Sequence, residues 1–219
     1  MPSTAGSSIS FAFILKTQMA NRIEIISTEV LSNNFFPLKK VKYKTENKDG
    51  GGEEINREVY MSANGATVLL YNLEKKTVIL IRQFRLPTLL NNNEGGMMIE
   101  TCAGIIENND DPTSTIIREI EEETGFKVEK ATKIFELYST PGSVTEKLHY
   151  YYAEYTCNDK KSEGGGLDEE HEDIEVIELP FEEAFLKMER GEIMDAKTVI
   201  LLQYARLNIF PEEKVFDML

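Results

Sequence analysis

The sequence predicts an α+β fold in which mixed β-sheets pack with helices in layers, an α/β/α sandwich-like arrangement that follows an N-terminal antiparallel β-region. Short stretches with strand-like alternation of apolar residues occupy positions 23–60, and two runs rich in Val, Ile and Leu come next. Segments with apolar residues at helical spacing follow and also end the chain. The order of these patterns shows no internal repeat, which argues against a solenoid or a propeller.

Residues 23–62 are predicted to form the N-terminal β-strands. The run Asp49–Gly52 supplies the positive backbone angles that a hairpin turn needs, and extended sequence resumes at Ile55–Tyr60. Residues 1–22 contain no Asp or Glu, a composition that weakly resembles an organelle transit segment. A flexible tail is the preferred interpretation of that segment.

The rest of the chain, residues 63–219, is predicted to be one domain. Its first two strands look central and buried because they are nearly continuous apolar runs. The predicted strands are 66–71, 77–84, 98–103 and 145–157, and the predicted helices are 112–124, 181–190 and 197–207.

Composition and charge limit the classes of function. The 219 residues carry a formal net charge of −14 at pH 7, and 41% of them are hydrophobic. A protein that binds nucleic acid through its phosphates needs a basic surface, so that class is excluded. A small phosphorylated ligand fits if divalent cations lie between protein carboxylates and phosphates.

Cysteine content and hydropathy indicate in which cell compartment the protein is expected. Cys102 and Cys157 lie far apart and make no disulfide framework. No apolar run reaches the roughly 20 residues that a membrane-spanning helix needs. The expected location is the cytoplasm, with organelle targeting by residues 1–22 as the alternative.

The most informative stretch is the predicted helix 112–124, whose ends are well marked. Asp111 is suited to cap its N-terminus, and Pro112 fits the first turn because its missing N–H has no partner there. Gly125 suits a left-handed stop. Ile116 and its neighbours form an apolar stripe that predicts a buried face.

Carboxylates line the side of this helix next to the buried face. Glu119 and Glu123 are one turn apart and project together, so they can share hard cations. Arg118 and Glu122 have the same spacing, and their ion pair would anchor the helix and leave the other two acids for metal. A run of glutamates is usually a solvated surface. Here, however, acids crowd the C-terminal end of a helix, where the helix dipole disfavours them, and this argues for a functional reason.

This stretch resembles the sequence box of the Nudix hydrolase family, G-x5-E-x7-R-E-U-x-E-E-x-G-U, in which U is a bulky apolar residue. The matching residues are Gly104, Arg118, Glu119, Ile120, Glu122, Glu123, Gly125 and Phe126. Asp110 stands where the box has its first glutamate, and reduced or retuned activity is the most that this change predicts. The resemblance implies the Nudix fold, a hydrolase domain over residues 63–219, and about two or three Mg²⁺ ions per site, with Mn²⁺ able to replace them.

Segments outside the box narrow the resemblance. Ile81–Arg85 and Glu100–Gly104 look like the ADP-ribose and GDP-mannose pyrophosphatase branch of the family, and Pro141–Glu146 and Gly164–Gly166 favour GDP-mannose. The implied reaction is Mg²⁺-dependent hydrolysis of GDP-mannose to GMP and mannose 1-phosphate. The alternatives are ADP-ribose or another nucleoside diphosphate sugar as substrate, and a catalytically silent nucleotide-sugar sensor.

The resemblance also implies which residues form the site. The expected catalytic acids are Glu119, Glu122, Glu123 and Glu172. The expected metal ligands are the Ala103 carbonyl and the side chains of Glu119, Glu123 and Glu172. Glu172 belongs to the acidic loop 167–173, in which Glu170 is the alternative ligand and a loop that is merely solvated is the alternative interpretation.

The same resemblance implies a set of substrate contacts and a homodimer that exchanges its N-terminal strands. The expected substrate contacts are Phe35, Arg57, Glu58, Arg85, Ala103, Gly104, Glu146, Glu172 and Lys197. Arg57 and Glu58 would reach the site of the neighbouring subunit. Phe35 would stack on the base or pack in the core. The assignment of Arg85 and Lys197 as substrate contacts depends on the resemblance, because a lone basic residue is more often a surface charge.

Overall fold

The computed structural model describes residues 23–46, 51–107, 110–167 and 173–212. The expectation of a flexible tail for residues 1–22 falls outside these ranges, as do both candidate ligands of the acidic loop, Glu170 and Glu172. The chain divides into two compact units. One unit comprises the chain up to Ser62 together with Thr140–Thr145, and the other comprises Ala63–Ser139 and the chain from Glu146 onward.

The first unit is a three-stranded antiparallel sheet. Its strands are β1 (Ile23–Asn33), β2 (Pro37–Glu46) and β3 (Gly52–Tyr60), in that spatial order. Lys40 of β2 stands opposite Glu29 of β1 and Glu58 of β3, and such facing opposite charges stabilise strand pairing. The predicted hairpin joins β2 and β3, although part of its turn, residues 47–50, lies outside the described ranges.

The second unit is built on a mixed sheet of seven strands. These are β4 (Gly65–Asn72), β5 (Thr77–Phe84), β6 (Met97–Glu100), β7 (Cys102–Ile105), β8 (Thr132–Tyr138), β9 (Lys147–Glu154) and β10 (Glu175–Pro180). The main path runs β10-β5-β4-β9-β8, while β6 pairs with β5 and β7 pairs with β4. Strands β4 and β9 are parallel, and the other pairs are antiparallel.

Strand β4 lies in the middle of this sheet, and every one of its residues is buried. Val68 and Leu70 belong to one apolar core, whereas Leu69 and Tyr71 belong to a second one. Successive side chains of a strand point to opposite faces, so this strand is covered on both sides. The prediction that strands 66–71 and 77–84 are central and buried is confirmed, apart from exposed residues at the end of β5.

Helices cover both faces of the sheet. They are α1 (Leu86–Leu90), α2 (Pro112–Glu119, continued by a π turn at Ile120–Thr124), α3 (Phe181–Glu189) and α4 (Ala196–Asn208). Ile116 and Ile120 of the α2 region pack into the first core, and Phe181 of α3 and Leu201 of α4 pack into the second. The predicted α/β/α sandwich is thus confirmed. In the described ranges, no helix combines the length and the apolar character needed to cross a membrane.

The ends of α2 are formed as predicted, but its last turn is not. The Asp111 carboxylate accepts a hydrogen bond from the Ser114 N–H at 3.0 Å, and Gly125 ends the helical segment with φ 73°. The α-helix stops at Glu119, and the next five residues are π-wound rather than α-helical. Thr124 Oγ1 donates to the Ile120 carbonyl at 2.5 Å, and a hydroxyl that takes a carbonyl of the previous turn competes with the α-helical ladder.

Two predicted strands differ from the structure. The prediction of one strand over 98–103 is wrong, because β6 and β7 pair with different neighbours. The chain changes partner at Thr101, whose N–H donates to Thr198 Oγ1 of α4 at 2.7 Å. The predicted strand 145–157 is shorter, since β9 ends earlier and Cys157–Asp159 form a 3₁₀ turn.

The sequence patterns do not predict β8, β10 or α1. Strands β8 and β10 are the two edges of the main sheet path, and most of their residues are exposed or half-buried. Edge strands carry charges such as Lys133 and Glu178, which interrupt the apolar run that marks a central strand. Helix α1 has five residues, too few for a helical period to show in the sequence.

Candidate active site

Two buried carboxylates of the acidic helix lie against strand β7. Glu119 is 8% exposed and Glu123 is 1% exposed. Glu123 Oε2 accepts a hydrogen bond from the Ala103 N–H at 3.1 Å. The Glu119 carboxylate fills the space beside Gly104, where a Cβ atom would collide with it. The box therefore needs a glycine at this position because a carboxylate occupies the place of a side chain.

Arg118 holds two of the helix acids rather than one. Its Nη1 contacts Glu122 Oε2 at 2.6 Å, which confirms the predicted pair one turn apart. Its Nη2 also contacts Glu119 Oε1 at 2.8 Å, so the guanidinium holds a predicted metal ligand as well as Glu122. That Glu119 and Glu123 serve metal stays a prediction. The guanidinium presents several donors in a rigid plane and can serve both neighbours at once.

The donor set at this place fits a hard divalent cation. Carboxylate and backbone carbonyl oxygens are the ligands that Mg²⁺ prefers, and the predicted ligand residues Ala103, Glu119 and Glu123 lie together here. Across the described ranges, no three Asp, Glu, His or Cys side chains form by themselves a group that could hold a metal ion. The remaining predicted ligand, Glu172, belongs to residues that the structure does not describe.

A second cluster of charges surrounds Glu100, the last residue of β6. Arg85 donates two hydrogen bonds to its carboxylate, from Nε at 3.0 Å and from Nη2 at 2.9 Å. Lys197 Nζ donates to Glu100 Oε2 at 2.7 Å. Burial by itself would raise the pKa of the Glu100 carboxyl, but the hydrogen bond from Arg85 and the charges of Lys197 and Arg85 outweigh it and lower that pKa. Glu100 is therefore ionised and holds two cations side by side.

The start of α4 fixes the position of Lys197. Asp195 caps this helix by accepting bonds from the Thr198 N–H at 3.0 Å and from Thr198 Oγ1 at 2.6 Å. The same carboxylate lies 3.1 Å from Lys197 Nζ. The Thr198 hydroxyl also accepts from the N–H of Thr101, which directly follows Glu100. Backbone and side-chain bonds thus join the start of α4 to the end of β6.

One of the buried acids, Glu123, lies close enough to Arg85 to affect its pKa. Burial opposes the charge of Arg85, but the bond from Glu100 and the charges of Glu100, Glu123 and Asp195 outweigh it and raise the pKa of Arg85. Glu100 and Ala103 are also near neighbours along the chain, at the end of β6 and the start of β7. Acids of the helical segment that could hold a metal ion thus lie near fixed cations that suit phosphate oxygens.

Sequence reasoning found Arg85 and Lys197 but missed the residue that unites them. Neither is an isolated surface charge, since both contact one carboxylate whose side chain is 3% exposed. The sequence signals for Glu100 are its place in the segment Glu100–Gly104 that resembles the family branch and its position as an acid after the apolar run Met97–Ile99. An acid in a buried strand needs a partner, but the strand pattern does not say which one.

The other predicted substrate contacts lie in both units. Glu146 belongs to the second unit and directly precedes β9; its Oε1 would lie 4.0 Å from a Cβ atom on Gly65. Phe35, Arg57 and Glu58 belong to the first unit. Phe35 is 79% exposed, and its ring is nearly perpendicular to that of Phe36, with ring centroids 4.7 Å apart. Among the described residues, core packing therefore does not explain Phe35.

Comparison with known proteins agrees with the class that the fold and the site define, a hydrolase of phosphorylated compounds. The NUDIX domain model matches residues 61–201, and the model of the GDP-mannose pyrophosphatase NudK N-terminal domain matches residues 22–60. GDP-mannose pyrophosphatase from Shigella dysenteriae serotype 1 (strain Sd197) is 49% identical over 190 residues, which cover 87% of this chain and 98% of that protein. The protein of the same name from Escherichia coli O139:H28 (strain E24377A / ETEC) is 50% identical over the same shares.

A solved structure supports the fold. The crystal structure described as an ADP compounds hydrolase has a TM-score of 0.63 and 20% sequence identity, over 85% of this chain and 93% of that chain. The chain belongs to the Nudix hydrolase family, because the domain model covers more than half of it and the box residues stand in the expected places. Nudix hydrolases in general need a divalent metal ion.

Proposed function

We propose that this chain hydrolyses the pyrophosphate bond of a nucleotide sugar with the help of Mg²⁺, and that GDP-mannose is its substrate. The products are GMP and mannose 1-phosphate. The observation that carries this proposal is the identity of about one half to GDP-mannose pyrophosphatases over nearly their whole length. The two buried carboxylates and the two fixed cations of the candidate site supply the chemistry that this reaction needs.

The metal ions would be held by the Ala103 carbonyl and by Glu119, Glu123 and Glu172, with Glu170 as the alternative in the acidic loop. About two or three Mg²⁺ ions, or Mn²⁺ in their place, would neutralise the charge of the two phosphates and lower the pKa of a water molecule. Arg118 orients Glu119 and Glu122 through its two short contacts. Within the catalytic set, Glu122 would fix the position of Arg118, which in turn holds the carboxylate of Glu119.

The cation pair would bind the substrate. Arg85 and Lys197 present positive charge beside the buried acids, and Glu100 holds both in place before substrate arrives. Preorganised cations stabilise charge that develops on phosphate oxygens without further rearrangement. Gly104, without a side chain, leaves room for Glu119, and Glu146 would contact the sugar nucleotide from the start of β9.

ADP-ribose is the nearest alternative substrate, and a catalytically silent sensor is the alternative class. The placement of Glu119 and Glu123 beside Ala103 and Gly104 favours an enzyme, because two carboxylates next to a backbone carbonyl match the oxygen ligands that Mg²⁺ prefers. Stacking of Phe35 on a base would not distinguish guanine from adenine, and Arg85 and Lys197 would contact phosphate, so a substrate panel decides the base.

The test is an incubation of the purified chain with a panel of nucleotide sugars and Mg²⁺, followed by chromatography of the nucleotide products. GMP from GDP-mannose at the highest kcat/KM is the expected result. A higher kcat/KM for ADP-ribose would replace the substrate, and a complete lack of nucleoside monophosphate from every conjugate would leave the sensor as the better explanation.

A pair of variants tests the assignment of the acids. Glu123→Gln should lower kcat at least about 100-fold, because it removes a carboxylate charge from the metal site, while the fold is kept. Glu121→Gln is the matched control, since Glu121 lies on the same turn but is exposed and contacts Lys127 at 3.3 Å. Equal activity of both variants would contradict the assignment.

We further infer that residues 23–62 form a dimer interface. Strand β1 exposes large apolar side chains, among them Ile23 (58% exposed), Ile25 (60%) and Val30 (55%). Contiguous exposed apolar residues on a strand mark an interaction surface. A second copy that exchanges its N-terminal strands would cover them and bring Phe35, Arg57 and Glu58 of one subunit to the site of its partner.

A further inference from the structure

One segment of the second unit covers the C-terminal end of the acidic helix. We call Lys160–Gly166 the capping segment. The last turn of a helix leaves carbonyl groups without partners inside the helix, and they must be satisfied from elsewhere. Here the capping segment provides those partners to the turn that carries Glu123.

Hydrogen bonds run from the capping segment to successive carbonyls. Gly166 N–H donates to the Glu122 carbonyl at 3.2 Å, and Gly165 N–H donates to the Glu123 carbonyl at 2.9 Å. Lys160 Nζ donates to the Thr124 carbonyl at 3.2 Å. The backbone of Glu123, which positions one of the two buried carboxylates, is therefore held from outside its own helix.

The backbone of this segment requires glycine. Gly164, Gly165 and Gly166 have φ values of 72°, 114° and 81°, a region that other residues rarely adopt. A Cβ atom on Gly164 would lie 2.5 Å from the Glu123 carbonyl oxygen, so the segment approaches the helix end too closely for any side chain. Gly164 thus permits close contact with the helix end, and Gly165 and Gly166 follow with positive φ.

The capping segment also offsets the unfavourable electrostatics of acids at the C-terminal end of the helix. The helix ends in Glu121, Glu122 and Glu123, and the negative end of the helix dipole disfavours acids there. Backbone N–H groups and the ammonium of Lys160 bring positive charge to the same carbonyls. This compensation lets the acids stay at that end, where the site needs them.

Gly165 additionally joins the two ends of the acidic loop. Its N–H donates to the Glu123 carbonyl, and its own carbonyl accepts from the Ile174 N–H at 3.2 Å. In the sequence, the residues between these points are Gly166 to Asp173, which include the acidic run. One residue therefore fastens the beginning and the end of that loop to the turn that carries Glu123.

We propose that the capping segment is a positioning element of the metal site, which sets the Glu123 carboxylate by holding the carbonyls of the last helical turn. This inference rests on the proposed metal-dependent function. Residues that hold metal ligands from behind typically change metal affinity by about 10- to 100-fold when they are altered. Gly165 and Gly166 would act in this way through their bonds to the helix carbonyls.

The decisive variant is Gly164→Ala, with Gly191→Ala as its matched control. Both glycines have nearly the same φ, 72° and 74°, but a Cβ atom on Gly191 would meet nothing within 4 Å. The two variants therefore share the backbone strain, and only Gly164→Ala pushes the capping segment away from the helix. Mn²⁺ binding to the full-length protein is measured by the electron paramagnetic resonance signal of free Mn²⁺, and hydrogen exchange is measured on the metal-free protein.

Gly164→Ala is expected to bind Mn²⁺ about tenfold more weakly and to lose exchange protection at the Gly165 and Gly166 amides, whereas Gly191→Ala keeps both. Lost protection with unchanged Mn²⁺ affinity would overturn this inference and leave the proposed function standing. A wild-type chain that binds no Mn²⁺ would overturn both.

A second variant keeps the test open if Gly164→Ala does not fold. Lys160→Met removes the ammonium from the Thr124 carbonyl and introduces no backbone strain. It should weaken Mn²⁺ binding about two- to fivefold, which corresponds to the usual strength of a charge at a helix end. If Gly164→Ala folds, wild-type Mn²⁺ affinity in both variants would contradict the proposal. If Gly164→Ala does not fold, wild-type Mn²⁺ affinity in Lys160→Met would contradict it.

Discussion

Glu100 shows how a single residue can determine the electrostatics of a site. Both predicted phosphate-binding cations are bonded to its carboxylate. Two cations placed side by side repel each other unless an anion lies between them. The buried carboxylate supplies that anion and keeps Arg85 and Lys197 in one orientation.

The variant Glu100→Gln tests whether the Glu100 carboxylate holds the two cations in place. Without the negative charge the two cations separate, so we expect a higher KM for the nucleotide sugar and a loss of about 1–3 kcal/mol of unfolding free energy at pH 7. Circular dichroism in urea measures the stability, and steady-state kinetics measures KM. A KM equal to that of the wild type would show that the cation pair does not bind substrate.

The same variant predicts a pH dependence whose sign follows from the lowered pKa. The folded-state pKa of Glu100 lies below the value of about 4.3 that a glutamate has in an unfolded chain. The stabilisation is thus complete above that unfolded value and is lost as the pH falls through the folded-state pKa. The difference in unfolding free energy between wild type and Glu100→Gln should be constant near neutrality and shrink only in acid. A difference that grows as the pH falls would contradict the assignment.

At the scale of elements, the acidic helix is stabilised separately at its two ends. Its N-terminus depends on a local cap within four residues, Asp111 to Ser114. Its C-terminus depends on the capping segment, which comes from a distant part of the chain. Only the second end holds the turn that carries Glu123.

This difference predicts that a change at the N-terminal end of the helix lowers the stability of the protein but leaves its activity nearly unchanged. Asp111→Ala removes the cap and should cost about 1 kcal/mol of unfolding free energy with little change in kcat. Asp111→Asn is the control, because its side-chain oxygen can still accept the capping bond from the Ser114 N–H. Thermal unfolding and kcat of the two variants check this. A large fall in kcat for Asp111→Ala alone would mean that the whole helix, and not only its last turn, sets the site.

At the scale of the whole molecule, the proposed exchange of N-terminal strands determines which chain completes each site. The exposed apolar residues of β1 and the exposed ring of Phe35 offer a surface for this exchange. If the N-terminal strands are exchanged, Arg57 of one subunit serves the carboxylates of the other.

Mixing two inactive variants tests the exchange. A dimer of Arg57→Ala and Glu123→Gln subunits has one site with both wild-type residues, if Arg57 acts on the partner's site. Random exchange of subunits should restore activity to about a quarter of the wild-type sites, as expected for a twofold dimer. If Arg57 acts within its own subunit, every site keeps one defect and mixing restores nothing. Activity after mixing and refolding is the measurement, and each variant refolded alone is the control.

Much of this protein was determined by local sequence. The cap at Asp111, the stop at Gly125, the buried strands β4 and β5 and the pairing of Arg118 with Glu122 all depend on residues close together in the chain. Propensity, periodicity and spacing act over this range, so the sequence predicts them directly. The box is also a local pattern, and its resemblance to the Nudix sequence predicts the family and the acids of the site.

Only the tertiary structure decided which distant residues meet. It split the predicted strand at Thr101, placed Arg85 and Lys197 on Glu100, and brought the glycines of the capping segment to the end of the acidic helix. These contacts join parts of the chain separated by many residues. They depend on how the sheet and its two helical layers pack together, which no local pattern of side chains encodes.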